Sequence, residues 1–350
     1  MINKIRNIAS ISVSTIIILF TMTILFQAQE IDLRSDIHDL GEKSVTWDSY
    51  TFPGFYYDID DDIGTENLTF RLSNIAQDKG GATLSDEPDA NGNRGVVYTT
   101  EAIPIDFSFG PWGQYEEIGF LGGDYFAAYD SNSTWDLSAT NQSVPFLYDK
   151  SESRNIMTNE QISEVLNDDN TEQTFNLSNP LELDEGYNLS IKAIDSDSKK
   201  VYLELSKNGK IVDNKVIQPS IENANIGDQT YYYKKDLGNI KGIVIIAVHF
   251  KNVFSSSQSN IATIDGIFQI SDTPTSITTG QQYDKMSIRQ VDPTAMTITM
   301  DNKDNPITLT RNKDIALMDN IHVKTADQDD ISASNPLRYY IYSSESCECD

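Results

Sequence analysis

Val201-Tyr202-Leu203-Glu204-Leu205-Ser206-Lys207-Asn208-Gly209-Lys210-Ile211-Val212 sets the fold class. Val201, Leu203 and Leu205 alternate with Tyr202, Glu204 and Ser206, the two-residue period of a strand with one buried face. Asn208-Gly209 follows, two residues that tolerate the positive φ of a tight hairpin turn. Ile211, Val212 and Val216 then begin the return strand. Working outward, Gly122-Gly123 sits in the same way between the runs at 117–121 and 125–129. Residues 243–250 are almost continuously apolar, as in a central strand covered on both faces. Gly266, inside a strand pattern at 261–268, marks a bulge or a close contact. Further strands are predicted at 67–72, 95–101, 284–291, 295–300, 307–310, 321–325 and 337–342. One short helix is predicted: Thr158 would cap it, Gln161 would complete the cap, and Ile162, Val165 and Leu166 would share a face. Many short strands with frequent turns make the chain all-β, sandwich or barrel, and not a parallel α/β sheet.

The 350 residues suit two domains of ordinary size. Loop-rich breaks fall at 131–153 and 271–276. Only about seventy residues follow the second break, which is small for an independent sandwich. The expected arrangement is therefore two linked β-sandwiches: residues 37–165 plus 275–345 form the first, and residues 166–274 form a second inserted between them. Two serial sandwiches are the alternative.

With 53 acidic and 26 basic residues, the formal net charge is -27. That excess disfavours nucleic acid and anionic lipid as partners, since both need clustered Lys and Arg. Cys347 and Cys349 both lie in the last four residues, so no disulfide can staple the body of the fold. His38, His249 and His322 are scattered. His249, inside an apolar strand, reads as a hydrogen-bonded structural residue. No nucleophile elbow, Walker loop, zinc-protease motif or dinucleotide fingerprint occurs. Acidic pairs such as Glu116-Glu117 arise by chance in so acidic a chain, and neighbours on a strand face opposite sides. The chain reads as a non-enzyme.

Residues 1–28 read as a secretion signal or an N-terminal anchor. Lys4 and Arg6 precede an uncharged run from Asn7 to Gln29. The run is longer than the usual signal core of ~7–15 residues and could span a bilayer, for which about 20 suffice. Either way the remainder lies outside the membrane, touching it only if this segment is retained.

The densest acidic string is Asp58-Ile59-Asp60-Asp61-Asp62-Ile63-Gly64-Thr65-Glu66. Asp58, Asp60 and Asp62 could converge on a hard cation, and Ca²⁺ is the ion such a loop would take. Its glycine and its twelfth residue, Thr69, do not match a helix–loop–helix site. The competing reading is a solvated acidic loop, and no cofactor is required. Asp195 and Asp197 form a second, weaker candidate. Asn67, Asn132, Asn141, Asn176 and Asn188 satisfy the glycosylation rule.

Several strings together resemble one family. They are residues 52–66, beginning Phe52-Pro53-Gly54-Phe55-Tyr56-Tyr57; Val201 to Lys210; Tyr231-Tyr232-Tyr233-Lys234-Lys235-Asp236; Ala247 to Phe254; and Thr263 to Ser271. They resemble the S-layer-related duplication domain of methanogenic archaea, over roughly Val45 to Tyr342. The resemblance implies an exported module of two linked β-sandwiches that assembles with other S-layer subunits into a porous sheet at the cell surface. It implies no catalytic residues. The lattice proteins of this kind carry the module twice, then a stalk and an anchor, whereas this sequence holds one copy. A secreted carbohydrate-binding or adhesive module is the rival, with the 17 tyrosines as stacking faces. Exposed tyrosines in one groove would favour that rival, and tyrosines spread through the cores would favour the lattice.

Overall fold

Strands Val201–Lys207 and Lys210–Ile217 pair antiparallel with Lys207 opposite Lys210. Asn208 and Gly209 make the two-residue turn at φ of 50° and 78°. The structure is a computed structural model that describes residues 29–347 apart from 43, 73–80, 85–94, 133–143, 196, 198 and 256–259. Residues 1–28, Asn141 and Cys349 therefore lie outside the described residues.

The hairpin near Gly122 closes one residue earlier than its glycines suggest. Phe120 pairs with Gly123, and the turn residues are Leu121 and Gly122, at φ of 53° and 87°. A leucine at positive φ is strained, and buried acceptors hold it there. The Gly122 N–H donates to Glu66 Oε1 at 3.1 Å, and the Leu121 N–H donates to the Tyr98 hydroxyl at 3.3 Å. Glu66 is fully buried and also accepts from the Tyr56 N–H at 2.8 Å and the Tyr98 O–H at 2.8 Å.

The predicted helix after Thr158 is a correction. Met157–Asn159 makes a single 3₁₀ turn, Glu160 is left-handed at φ 51°, and Gln161–Asp169 is a strand. Three apolar residues fit either period, and pairing decided between them. This strand bonds to Gly123–Asp130 on one side and Asn260–Ile270 on the other. Asn155, not Thr158, makes the local cap, accepting from the Thr158 N–H at 3.2 Å.

The chain is all-β, with only short helical turns such as Phe146–Lys150 and Ile226–Gln229 among the described residues. Among the described residues its largest sheet has nine strands. The main path runs Thr230–Leu237, Ile240–Ser255, Asn260–Ile270, Gln161–Asp169, Gly123–Asp130, Gln114–Phe120, Ile103–Asp106. The apolar run at 243–250 is thus central, paired on both edges. A second sheet runs Gln282–Tyr283, Met286–Asp292, Thr297–Asp301, Val96–Glu101, Glu66–Arg71, Ser44–Asp48, so strands far apart in sequence interleave.

Buried apolar side chains fall into two cores. One contains Trp47, Phe70, Tyr98, Ile298, Leu309 and Tyr339, from both ends of the chain. The other contains Trp112, Leu203, Tyr231, Ile246 and Phe268, from its middle. The first core draws on residues up to Ala102 and from Ile277 onward. The residues between divide, with Ile118, Phe120, Ala127, Met157 and Ile162 joining it and the rest of the clustered apolar side chains forming the other. Residues 165 and 166, between which the sequence reading divides the two sandwiches, lie within the strand Gln161–Asp169. Strands of the large sheet supply both cores. Tyr115 enters the middle core while Ile118 and Phe120 enter the other, and Phe126 and Tyr129 part in the same way from Ala127. Ala127, unpaired between Phe126 and Ala128, is the bulge residue that lets Phe126 and Tyr129 share a side.

Gly266 has both features expected of it. Asp265 is skipped in the pairing of His249 with Gly266 and Phe250 with Ile264. A Cβ on Gly266 would lie 2.8 Å from Cβ and 2.9 Å from Cγ of Phe109, which stacks on His249 at a 4.0 Å centroid distance. Gly266→Ala should cost about 1–3 kcal/mol by overpacking. Urea unfolding checks this, and an unchanged midpoint would mean that Phe109 yields freely. His249 is buried and bonds Asp265 Oδ1 through Nδ1 at 2.5 Å, the structural role expected of it.

Candidate functional site

A polar cavity of about 380 Å³ opens where the Tyr56–Asp61 segment crosses the large sheet. The segment is shaped by its own hydrogen bonds. Asp58 and Ile63 exchange backbone bonds at 2.8 and 3.0 Å, closing a tight loop. Asp58 Oδ1 accepts from the N–H groups of Asp60 at 2.7 Å and Asp61 at 3.2 Å, a turn that aspartate side chains favour. Asp62 adopts φ 58°. Its carboxylate accepts from the Tyr57 hydroxyl, and its carbonyl from the Tyr50 hydroxyl at 3.0 Å.

Asp58 and Asp60 therefore line the cavity while Asp62 turns to the tyrosines. Among the described residues no three His, Cys, Asp or Glu side chains are grouped so as to hold a metal ion, and the expected triad does not converge. The reason is local, because one Asp58 oxygen already satisfies two backbone donors. Asp195, the weaker candidate, likewise accepts from the N–H groups of Lys199 at 2.7 Å and Lys200 at 3.0 Å. Of the glycosylation acceptors, Asn67 and Asn132 are exposed and Asn176 and Asn188 half-buried.

The sheet supplies the rest of the cavity wall: Ile105 and Asp106, Tyr115 and Glu117, Asp124, and residues 165–168. Seven of the sixteen lining residues are Asp or Glu, and among the described residues that line it none is Lys, Arg or His. Glu117 is 1% exposed. Both its carboxylate oxygens are buried without a hydrogen-bond partner, as are Asp124 Oδ1 and Asn167 Oδ1. The Tyr56 hydroxyl and the Asp124 carboxyl both lie near enough to act on Glu117, though not in ordinary hydrogen-bond geometry.

The electrostatics follow from burial without counter-charge. Burial, reinforced by the Glu117 charge, pushes the Asp124 carboxyl up to about 9. Burial raises Glu117 as well. Burial lifts Asp168 to about 7, although the Ser108 N–H donates to its carboxylate at 3.1 and 3.2 Å. Two other buried acids are handled differently, by ion pairing. Asp272 meets Lys207 at 2.6 Å and Lys235 at 2.5 Å, and Arg289 meets Asp301 at 2.5 Å. Burial works to raise Asp272, but the two lysines and the Tyr187 hydroxyl outweigh it and hold the group low.

Sequence reasoning set Glu116-Glu117 aside as a chance pair and did not single out Asp124. Strand alternation was the available signal: Glu117 occupies an inward position between Tyr115 and Ile118, whereas Glu116 is only half-buried.

Comparison with known proteins gives one consistent result. The profile of the family described as S-layer protein matches residues 37–327. The major S-layer protein of Methanosarcina acetivorans is 29% identical over 308 residues, 86% of this chain and 39% of that protein. The major S-layer proteins of Methanosarcina barkeri and Methanosarcina mazei are each 27% identical, over 86% and 87% of this chain. This chain spans about two fifths of the length of these relatives.

Proposed function

The chain belongs to the S-layer protein family, and from that premise we propose that it is a non-catalytic structural component of an archaeal cell-surface layer, associating with other S-layer subunits in a porous sheet. The observation that carries this reading is the match over 37–327, which takes in both apolar cores nearly whole. On this reading residues 1–28 direct export, and the β-rich body lies outside the cell. Among the described residues no helix is long and apolar enough to cross a membrane.

The distribution of tyrosine favours the lattice over a sugar-binding module. Tyr98, Tyr115, Tyr129, Tyr187, Tyr231 and Tyr339 are buried, and Tyr50 and Tyr202 are the exposed ones among the 17. Tyrosines spent on packing are not available as a stacking platform.

The test is to isolate cell envelopes, wash them in high salt and quantify this chain by mass spectrometry against the principal sheet protein. Retention at a fixed ratio supports the proposal. Complete release into the soluble fraction would sink it.

A further inference from the structure

We propose that the cavity beneath the Tyr56–Asp61 segment is a binding site for a hard divalent cation, Ca²⁺, held by Glu117, Asp124 and the side-chain oxygen of Asn167. Three observations carry the argument. Four buried oxygens without a well-formed hydrogen bond, Glu117 Oε1 and Oε2, Asp124 Oδ1 and Asn167 Oδ1, belong to residues lining one cavity, and the Glu117 and Asp124 carboxyls lie close enough to act on each other. All are oxygen donors, the ligand type that Ca²⁺ takes, and the cavity has room for the waters that complete its shell. Acids buried elsewhere are paired with Lys or Arg, as Asp272 and Asp301 are, or satisfied by three hydrogen-bond donors, as Glu66 is, whereas neither a cationic side chain among the described residues of this wall nor a well-formed donor meets Glu117. An ionised carboxylate buried without hydrogen bond or counter-charge is strongly disfavoured. A bound dication supplies both at once. All three proposed ligands stand on strands of the sheet, so the site differs from the loop triad Asp58, Asp60 and Asp62.

The cation would have a structural consequence. Glu117 and Asp124 stand on strands of the sheet shared by both cores, and Asp58, Asp60 and Asp61 close the cavity from the segment above. A dication between them would draw that acidic segment onto the sheet and quiet its repulsion.

The test uses the full chain, stripped with EDTA and then titrated with Tb³⁺ and with Ca²⁺. Tyr56, Tyr57 and Tyr115 line the cavity and would sensitise Tb³⁺ emission. Expected results are tyrosine-sensitised emission displaced by Ca²⁺, and a Tm raised by roughly 4 °C at a hundredfold excess of Ca²⁺ over Kd. Glu117→Gln and Asp124→Asn should each abolish both responses while melting, in EDTA, no lower than the stripped wild type. Asp62→Asn should keep both. Three results would overturn the site: identical wild-type melts with Ca²⁺ and EDTA, which would leave the two acids sharing a proton; responses that survive in both Glu117→Gln and Asp124→Asn; or responses lost in Asp62→Asn. None of these readouts involves the envelope, so the site can fail while the lattice reading stands, and the reverse.

Discussion

Glu66→Ala is expected to lower the unfolding free energy by on the order of 3–5 kcal/mol. The carboxylate is buried and takes donors from three places: the Tyr56 N–H, the Tyr98 O–H and the Gly122 N–H. Alanine would leave all three without a partner and open a cavity beside Tyr98. Each buried donor left unsatisfied costs about 1–3 kcal/mol, which exceeds the worth of the bond itself. The loss would spread, because the same carboxylate pins the strained Leu121-Gly122 turn. Denaturant unfolding followed by circular dichroism measures the effect. A change below about 1 kcal/mol would mean that water replaces the carboxylate, contrary to the burial described.

The second large effect is a pH dependence from the same residue. Burial raises the Glu66 carboxyl from 4.5 to about 7, although the Tyr56 N–H and Tyr98 hydroxyl act to lower it. Below pH 4.5 the folded and unfolded states both hold the proton, and the contribution is fully present. Between 4.5 and about 7 only the folded state holds it, so unfolding releases a proton and stability falls as pH rises. The total is about 3 kcal/mol, lost by pH 8. His249 works in the opposite sense: burial holds its pKa below the usual 6.5 despite Asp265, so it gains stability as pH rises through that window. Comparison with Glu66→Gln cancels His249 and every other group common to both proteins. The stability difference should move by about 3 kcal/mol in favour of the glutamine variant between pH 4.5 and 8. Parallel profiles would place the Glu66 carboxyl near its ordinary value.

What could be read from sequence was what is decided locally. Asn208-Gly209 between alternating runs specifies its turn without reference to the rest of the chain, and it closed as expected. An imidazole in an apolar run must find a partner nearby, and His249 found Asp265 on the bulge beside Gly266. The strings at 52–66 and 201–271 carried the family resemblance, and the family match spans them. The residues around Gln161 were not legible, because Ile162, Val165 and Leu166 suit both periods and the deciding partner, Ile270, lies a hundred residues on. The cavity was less legible still. In a chain with 53 acids, Glu117 and Asp124 look like any others. Their isolation depends on walls from five separate stretches of chain, none of which brings a positive charge among the described residues. The acidic loop was conspicuous in sequence, but the direction of Asp62 depended on Tyr50 and Tyr57, which no spacing rule anticipates.

The sheet that feeds both cores has a mechanical meaning. A coat around a cell carries tension whenever the cell swells, and each subunit must pass that load from one neighbour to the next. Two bodies joined by a bare linker would take up strain by hinging, and the pores between them would open. Here Ile118, Phe120 and Ala127 are keyed into one core while Tyr115, Phe126 and Tyr129 are keyed into the other, on the same pair of strands. Any displacement of one core against the other must shear these strands through interdigitated aromatic side chains, where close packing resists sliding. In the lattice role proposed for the chain, stretching would be met by a stiff plate, and pore dimensions would become a property of the subunit as well as of its contacts.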